Sequence, residues 1–165
     1  MAGASDAAWP ARRVTITAEA LIPVGVLLLD QLTKAWVRTT LTLNEPVQLV
    51  GDVLRLTYIH NEGAAFGLSV GRHSSLVFLV LATVASALVL YLFLTVPRGE
   101  RLQRTALALI LGGALGNIID RVRWEMVVDF IQVGIGGHYW PIFNIADSAV
   151  TIGALLLAYA YLLRR

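Results

Sequence analysis

The sequence contains no cysteine, so disulfide bonds, thiolate zinc sites and a cysteine nucleophile are excluded. Histidine occurs only at His60, His73 and His138, without the spacing that would place two rings on one helical face. A metal site is therefore not expected. No phosphate-binding loop, dinucleotide fingerprint or nucleophile elbow is present, and no cofactor is expected.

Charged residues are also scarce. They make up 15% of the 165 residues, whereas a typical soluble domain contains about 25%. Hydrophobic residues account for 57%, and the mean hydropathy is +0.71. This composition predicts a membrane protein. The net charge of +2 comes from short, scattered clusters of arginine, so a nucleic-acid partner is not expected.

Four long apolar segments predict an α-helical membrane fold with four transmembrane helices. The segments are Val14 to Val37, Leu76 to Val96, Thr105 to Ile119 and Ile142 to Leu163. The second carries no charge and is close to the ~20 residues needed to cross the hydrocarbon core. The first is too long for a signal-peptide core and lacks a small-x-small cleavage site, so residues 1–13 are expected to form a disordered lead-in.

Four spans place both termini on the same side of the membrane. Seven basic residues flank the spans on that side, in the short segments 12–13, 98–104 and 164–165, and the other six lie opposite in longer connections. Because cytoplasmic loops carry the excess of positive charge, this distribution predicts that both termini are cytoplasmic.

The connection between the first two spans predicts a small β-sheet cap within residues 43–68. Pro46 to His60 has the pattern of two short strands joined by Gly51-Asp52 as a two-residue turn, and the loop "HNEGAAFGL" follows. This cap would lie on the outer face, opposite the termini. No internal repeat is present, and residues 1–165 are interpreted as a single domain.

The polar residues near the span ends collect on one side of the membrane. In the four-span layout, the following residues all lie at the outer face, whichever way the protein is oriented: Asp30, Lys34, Asn61, Glu62, Asn117, Asp120, Arg121, Asp129, Asn144 and Asp147. A carboxylate beside an uncharged apolar stretch is costly to desolvate, so it is expected to have a polar or charged partner or a functional role. The pattern predicts one polar site at the outer interface.

Some of these residues have structural explanations. Asp30 and Lys34 stand four apart on one helical face and are interpreted as an ion pair. Asp120 and Arg121 are interpreted as a local pair of the same kind. Asp147 has the position of a helix cap.

Two further features are interpreted differently. The run "GGALG", with Gly112 and Gly116 four apart, indicates close helix packing rather than chemistry. Asp129, in "VVDFI", lies between apolar residues, and a cap does not explain it. Its charge is either solvated at the interface or engaged with a specific group.

A surplus of carboxylates at one interface favours acid–base chemistry. Two aspartates held close together cannot both ionise, so one keeps a proton while the other acts as a base. Such a pair can activate a water molecule and protonate a leaving amine, which is peptide hydrolysis without a covalent intermediate. The helix dipole favours Asp147 as the ionised member.

Five motifs in order along the chain resemble lipoprotein signal peptidase, also called signal peptidase II. They are "DQLTK" (30–34), "NEGAAFGL" (61–68), "GNIIDR" (116–121), "VVDF" (127–130) and "FNIADS" (143–148). The resemblance covers the chain from about Ala20 to Leu163 and includes the four-span layout.

This resemblance implies an aspartic endopeptidase of the bacterial inner membrane, with its active site and β-cap near the periplasmic face. The implied reaction removes the signal peptide from prolipoproteins, just before a cysteine that already carries diacylglycerol. Membrane lipids and the cyclic peptide inhibitor globomycin are further partners that the resemblance implies.

The resemblance also implies roles for single residues. Asp129 and Asp147 correspond to the catalytic pair. Residues that bind substrate or organise the site are, by the same correspondence, Asp30, Lys34, Asn61, Gly63, Asn117, Asp120, Arg121 and Asn144. The asparagines can hydrogen-bond without adding charge, and Gly63 can adopt a backbone conformation closed to other residues.

A small proton-coupled transporter or channel is the main alternative, because intramembrane carboxylates often mark proton relays. Against it, the acids collect at one interface, and the second and fourth spans carry no charge at their centres. A non-enzymatic membrane scaffold is a third alternative, which leaves Asp129 unexplained.

Overall fold

The computed structural model describes residues 18–65, 68–69 and 73–163. It contains four α-helices, which are α1 (Ile22–Thr40, preceded by a 3-10 turn at Ala18–Leu21), α2 (Ser74–Thr95), α3 (Arg101–Trp124) and α4 (Ile145–Leu162). Each is long and apolar enough to cross a membrane. The prediction of a multi-pass membrane protein with four helices is therefore confirmed.

The helix ends differ from the predicted ones, most clearly in the third helix. It has 24 residues and extends beyond the predicted 105–119 at both ends, with arginines in its first and last turns. Hydropathy marks the apolar part of a helix, whereas the backbone hydrogen bonds continue into its polar ends. Residues 14–17 of the predicted first span and the predicted lead-in at residues 1–13 lie outside the described residues.

Helix α3 packs against all three other helices, and its glycines make this possible. A Cβ atom added to Gly112 would lie 2.8 Å from the Cβ of Val26 on α1, and one added to Gly113 would overlap the carbonyl oxygen of Ala146 on α4. Distances this short are not tolerated in packed interiors. The interpretation of "GGALG" as a close-packing run is confirmed.

Arg104 joins α3 to the end of α2, at the opposite end of the bundle from the sheet. The side chain is buried, and its Nη1 donates to the carbonyl oxygens of Phe93 at 2.9 Å and Val96 at 3.1 Å. These carbonyls belong to the last turn and cap of α2, where no partner within the helix is available. The cation therefore satisfies the C-terminus of α2 and complements its dipole.

In the part of the chain that the structure describes, six short strands form two antiparallel sheets beside the helices. The strands are β1 (Pro46–Val50), β2 (Leu54–Asn61), β3 (Ala64–Ala65), β4 (Leu68–Ser69), β5 (Val127–Ile135) and β6 (His138–Tyr139). A four-stranded sheet has the order β1-β2-β5-β6, and β3 pairs with β4. The predicted hairpin of β1 and β2 is confirmed, whereas β5, which follows α3 and lies inside the sheet, was not predicted from the sequence.

The turn of the first hairpin is one residue longer than predicted. Val50 O accepts a hydrogen bond from Val53 N at 3.0 Å, so Gly51 and Asp52 occupy the central positions, and Gly51 has a positive φ of 45°. Strand pairing resumes only at Leu54, opposite Val50, which leaves Val53 outside the ladder. The register shift in β1 near Gln48 accommodates the extra residue.

The alternation of side chains along β5 places one aspartate on a different face from the core. Val128 and Phe130 pack with Tyr58 of β2 and Val37 of α1 in a buried cluster. Asp129 lies between them in sequence and therefore points to the opposite face of the strand. On that face its carboxylate contacts Asn61 at the end of β2 and Asn144 at the start of α4.

Candidate active site

Lys34 lies at the centre of a buried polar network. Its Nζ is 2.8 Å from Asp30 Oδ2, 2.9 Å from Asp120 Oδ2 and 2.9 Å from Asn117 Oδ1, and its side chain is 0% exposed. The three donors of the ammonium group thus have three acceptors. The predicted Asp30–Lys34 ion pair is confirmed, and Asp120 belongs to it as well.

The predicted ion pair between Asp120 and Arg121 is wrong. Asp120 pairs with Lys34 on α1, and the Arg121 guanidinium instead lies 5.9 Å from the Phe78 ring and donates weakly to the carbonyl oxygen of Asn117 at 3.3 Å. Consecutive residues of a helix do not face each other, so adjacency in sequence sends these side chains in different directions.

The carboxylates of Asp30 and Asp120 also accept hydrogen bonds from backbone N–H groups of other elements. Asp30 Oδ1 accepts from Ala146 N at 3.0 Å, at the start of α4, and Asp120 Oδ2 accepts from Val128 N at 3.3 Å, in β5. Gln31 donates its Nε2 to both carboxylates, at 3.2 and 3.0 Å. The network therefore fixes the positions of α4 and β5 relative to α1 and α3.

Asp129 is almost completely buried and is held by two asparagines. Its Oδ1 accepts from Asn144 Nδ2 at 2.7 Å and its Oδ2 from Asn61 Nδ2 at 2.8 Å. Burial, followed by the nearby negative charge of Asp147, raises the pKa of Asp129 from 3.8 to about 7, although the two asparagine bonds act in the opposite direction. Near neutral pH this carboxyl group therefore retains a proton in a large fraction of molecules.

Asp147 belongs to a capping box at the start of α4. Asn144 is the N-cap residue, and its Oδ1 accepts from Asp147 N at 2.9 Å, while Asp147 Oδ2 accepts from Asn144 N at 3.2 Å. The other oxygen of Asp147 accepts from Asn117 Nδ2 at 2.7 Å. The interpretation of Asp147 as a capping residue is thus confirmed, but the cap accounts for only one of its two oxygens.

Asn144 connects the two aspartates directly. It donates its side-chain amide to Asp129 and its backbone N–H to Asp147, and it is itself fully buried. A residue that donates to one carboxylate from its side chain and to the other from its backbone holds the two carboxylates close to each other. Asp129 and Asp147 are therefore neighbours, which the acid–base hypothesis requires.

Gly63 takes the backbone conformation expected of it. Its φ is +107°, and an added Cβ would lie 2.9 Å from Ser74 on α2 and 3.0 Å from the Phe78 ring. Its N–H donates to Asn61 Oδ1 at 3.0 Å. Gly63 therefore brings the loop close to α2 and at the same time orients Asn61.

A cavity of about 780 Å³ opens beside the aspartates. Its polar lining includes Asp129, Asp147, Asn61 and Arg121. The rest is largely apolar, contributed by Phe78, Val133, Trp140, Pro141, Ile142, Phe143, Val150 and Ile152. The lining includes half-exposed Ile152, so the cavity reaches the outer surface of α4.

The structure brings the predicted site residues together. Asp30, Lys34, Asn61, Gly63, Asn117, Asp120, Asn144, Asp129 and Asp147 form one connected set of hydrogen bonds and ion pairs, and Arg121 joins it through the cavity. Glu62 lies outside this set and is exposed. Gln31, within "DQLTK", was missed because its amide becomes important only when α1 meets α3.

The arrangement can perform acid–base chemistry on a substrate in the cavity. One carboxyl group that retains a proton near pH 7 stands next to another held at a helix N-terminus. Within the part of the chain that the structure describes, no three His, Asp or Glu side chains converge to hold a metal ion.

Comparisons with known proteins agree with this geometry. Residues 22–163 match the family model described as Signal peptidase (SPase) II. The chain is 42% identical over 143 residues to the lipoprotein signal peptidase of Desulforapulum autotrophicum, covering 84% of this chain and 88% of that protein. It is 44% identical over 137 residues to the lipoprotein signal peptidase of Halothermothrix orenii, covering 83% and 90%.

Solved structures show the same architecture. A bacterial membrane enzyme determined by the in meso method at 2.3 Å resolution matches with a TM-score of 0.79 and 37% identity, over 87% of each chain. A second such structure, at 1.9 Å resolution, matches with a TM-score of 0.78 and 37% identity, over 87% of this chain and 92% of the other. The chain therefore belongs to the signal peptidase II family of aspartic peptidases.

Proposed function

We propose that the protein removes the signal peptide from diacylglyceryl-modified prolipoproteins, cleaving just before the lipid-modified cysteine, with Asp129 and Asp147 as the catalytic pair. The observation that carries this proposal is the position of the two carboxylates, which share Asn144 and line one largely apolar cavity. The relatives' name, lipoprotein signal peptidase, supplies the substrate class.

The two aspartates divide the acid and base roles. Asp147 takes a proton from a water molecule in the cavity, and the resulting nucleophile attacks the carbonyl carbon of the scissile bond. Asp129, protonated near pH 7, donates its proton to the leaving amine as the C–N bond breaks. The products are the carboxylate of the signal peptide and the free α-amine of the lipid-modified cysteine.

Arg121 and the asparagines position the substrate backbone and the carboxylates. The Nε of Arg121 is buried and has no hydrogen-bond partner, and the side chain lines the cavity. The guanidinium group can donate to a substrate carbonyl oxygen in the cavity and so stabilise the complex. The oxygen that develops negative charge during attack is the best acceptor for a cation.

The substrate reaches the site from within the bilayer. The cavity extends to the outer surface of α4, and its apolar lining suits acyl chains and the hydrophobic signal peptide. All five residues of β1 are exposed, including Val47, Leu49 and Val50. This apolar strand lies in the headgroup layer beside the site, where it supports the substrate.

The distribution of positive charge and the four-span topology support a finer localisation. The protein resides in the bacterial inner membrane with both termini in the cytoplasm, and the sheet and the active site are near the periplasmic face. Globomycin inhibits the enzyme by occupying the cavity next to Asp129 and Asp147. The chain forms a single peptidase domain with residues 43–68 as part of its outer cap.

The test is cleavage by purified protein reconstituted in proteoliposomes. A diacylglyceryl-modified prolipoprotein is expected to be cut, without accompanying ion flux, and Asp129→Asn and Asp147→Asn should each abolish cleavage but retain binding of a globomycin-like peptide. An amide keeps the size of the acid but cannot accept a proton from water. Asp52→Asn, on the exposed turn, is the matched control with full activity. Near-normal turnover by either active-site variant would exclude the pair.

A further inference from the structure

Each asparagine of the site is oriented by a group that can only donate hydrogen bonds. The three contacts are Lys34 Nζ to Asn117 Oδ1 at 2.9 Å, Asp147 N to Asn144 Oδ1 at 2.9 Å, and Gly63 N to Asn61 Oδ1 at 3.0 Å. An ammonium group and a backbone N–H have no acceptor. Each asparagine must therefore turn its carbonyl oxygen toward the donor and its amino group away from it.

In every case the amino group then points at a catalytic carboxylate. Asn61 and Asn144 donate to Asp129, and Asn117 donates to Asp147 at 2.7 Å. Asn61 and Asn144 are oriented by backbone groups, which no side-chain substitution removes. Asn117 is different because its orientation depends on the charge of a side chain.

The opposite orientation of Asn117 would be unfavourable for Asp147 as well as for Lys34. It would place the carbonyl oxygen of Asn117 against the Asp147 carboxylate and its amino group against the ammonium of Lys34. A second donor, Asn144 Nδ2, also faces Asn117 Oδ1, at 3.1 Å. Lys34 is the stronger of the two donors because it is charged.

We propose that Lys34 is a positioning residue of the reaction, which acts through Asn117 to present an N–H group to Asp147 and so keeps Asp147 as the ionised, water-activating carboxylate. A carboxylate that accepts such a bond is favoured in its charged form. The proton of the pair then resides on Asp129. This inference rests on the proposed function and assigns the two roles within it.

The test separates this role from two simpler ones, namely a purely structural ion pair and a direct effect of the Lys34 charge on Asp147. The kcat/KM of the reconstituted protein is measured against pH for the unaltered chain, Lys34→Gln, Asn117→Ala and the double variant. Arg104→Gln is the matched control, because it removes another buried cation that contacts helix carbonyls far from the site.

Both single variants are expected to move the acidic limb of the profile upward by about one to two pH units, because a hydrogen bond to a charged group is lost. The double variant should move it no further than Asn117→Ala alone, since Lys34 acts through Asn117. Arg104→Gln should lower the melting temperature and leave the limb in place.

If the double variant moved the acidic limb by the sum of the two single shifts, Lys34 would act on Asp147 without Asn117. That result would overturn the inference. If Lys34→Gln lowered the melting temperature but left the acidic limb of the pH profile in place, the role of Lys34 would be purely structural. That result would also overturn the inference. Absence of cleavage by the unaltered chain would overturn the proposed function itself, and this inference with it. Cleavage with unmoved limbs in the variants would overturn the inference alone.

Lys34→Gln leaves two buried carboxylates facing each other, and this variant can fail to fold. The same comparison is then made in an Asp120→Asn background, in which one of those charges is removed. Lys34→Gln with Asp120→Asn is measured against Asp120→Asn alone, and the same upward movement of the acidic limb is expected. An unmoved limb in this pair contradicts the inference equally.

Discussion

At the scale of single residues, the site depends on one cation shared by two acids. Lys34 contacts both Asp30 and Asp120, so the three groups carry a net charge of one negative unit in a buried position. The sequence predicted a cation for each acid. It could not show that both acids use the same one, because Asp120 reaches Lys34 only through the packing of α3 on α1.

Removing the shared cation should therefore destabilise the protein more than removing one acid. Lys34→Gln leaves two unpaired buried carboxylates, a loss of roughly 3–5 kcal/mol, whereas Asp120→Asn leaves the neutral pair of Asp30 and Lys34. We expect the larger decrease in melting temperature for Lys34→Gln, measured by thermal unfolding in detergent. Equal decreases would show that Asp120 is paired independently.

The raised pKa of Asp129 makes the stability of the protein depend on pH. The pKa of Asp129 is about 7 in the folded protein, whereas the ordinary value of 3.8 applies to the unfolded chain. The folded state therefore binds this proton more tightly than the unfolded state, and the resulting stability is complete at low pH and is lost as the pH rises through about 7.

The melting temperature of the unaltered protein is accordingly expected to fall between about pH 4 and about pH 7, and that of Asp129→Asn to fall less. The comparison is made by thermal unfolding of both proteins in the same detergent across that pH range. Parallel curves for the two proteins would mean that Asp129 does not titrate there.

At the scale of elements, the sequence predicted those helices and strands that have a recognisable local sequence pattern. Apolar length located the four helices, and the alternating pattern with Gly51 located the hairpin of β1 and β2. Strand β5 was missed because its residues, "VVDFIQVGI", become a strand only by pairing with β2, from which they are distant in sequence. That pairing is also what places Asp129 on the cavity side, so the geometry of the site could not be predicted without it.

The contact of α3 with α4 leads to a prediction at this scale. Gly113→Ala should separate the two helices near Ala146, next to Asp147, because the new methyl group overlaps the Ala146 carbonyl oxygen. Both the melting temperature and the cleavage rate should fall. Gly25→Ala is the control, since a Cβ there meets nothing within 4 Å and gains about 0.5–1 kcal/mol of helix propensity. Equal behaviour of the two variants would exclude close packing as the role of Gly113.

At the scale of the whole molecule, the topology places the sheet and the polar site at one end of the bundle. The C-termini of α1 and α3 and the N-termini of α2 and α4 meet there, and Arg104 lies at the other end. The sequence predicted this arrangement correctly because four spans fix which connections share a side. It could not predict the cavity, whose lining combines residues from three helices and from β2 and β5.

The proposed orientation can be tested by cysteine labelling, because the chain has no native cysteine. A membrane-impermeant thiol reagent applied from outside the inner membrane is expected to label Asp52→Cys and His138→Cys, and to leave Arg101→Cys unlabelled until the membrane is permeabilised. All three positions are exposed, so access depends only on the side of the membrane. Labelling of Arg101→Cys from outside would show that the orientation is the opposite of the proposed one.

The shared cation also bears on how the protein is made. Helix α1 is synthesised first and carries Asp30 and Lys34 one turn apart, so it enters the bilayer with its charges already neutralised. Asp120 is synthesised later, on α3, and lacks its Lys34 partner until the two helices pack together. Because Lys34 lies on the helix that is synthesised earlier, we expect α1 to be in the membrane before α3 and to provide the cation with which Asp120 pairs.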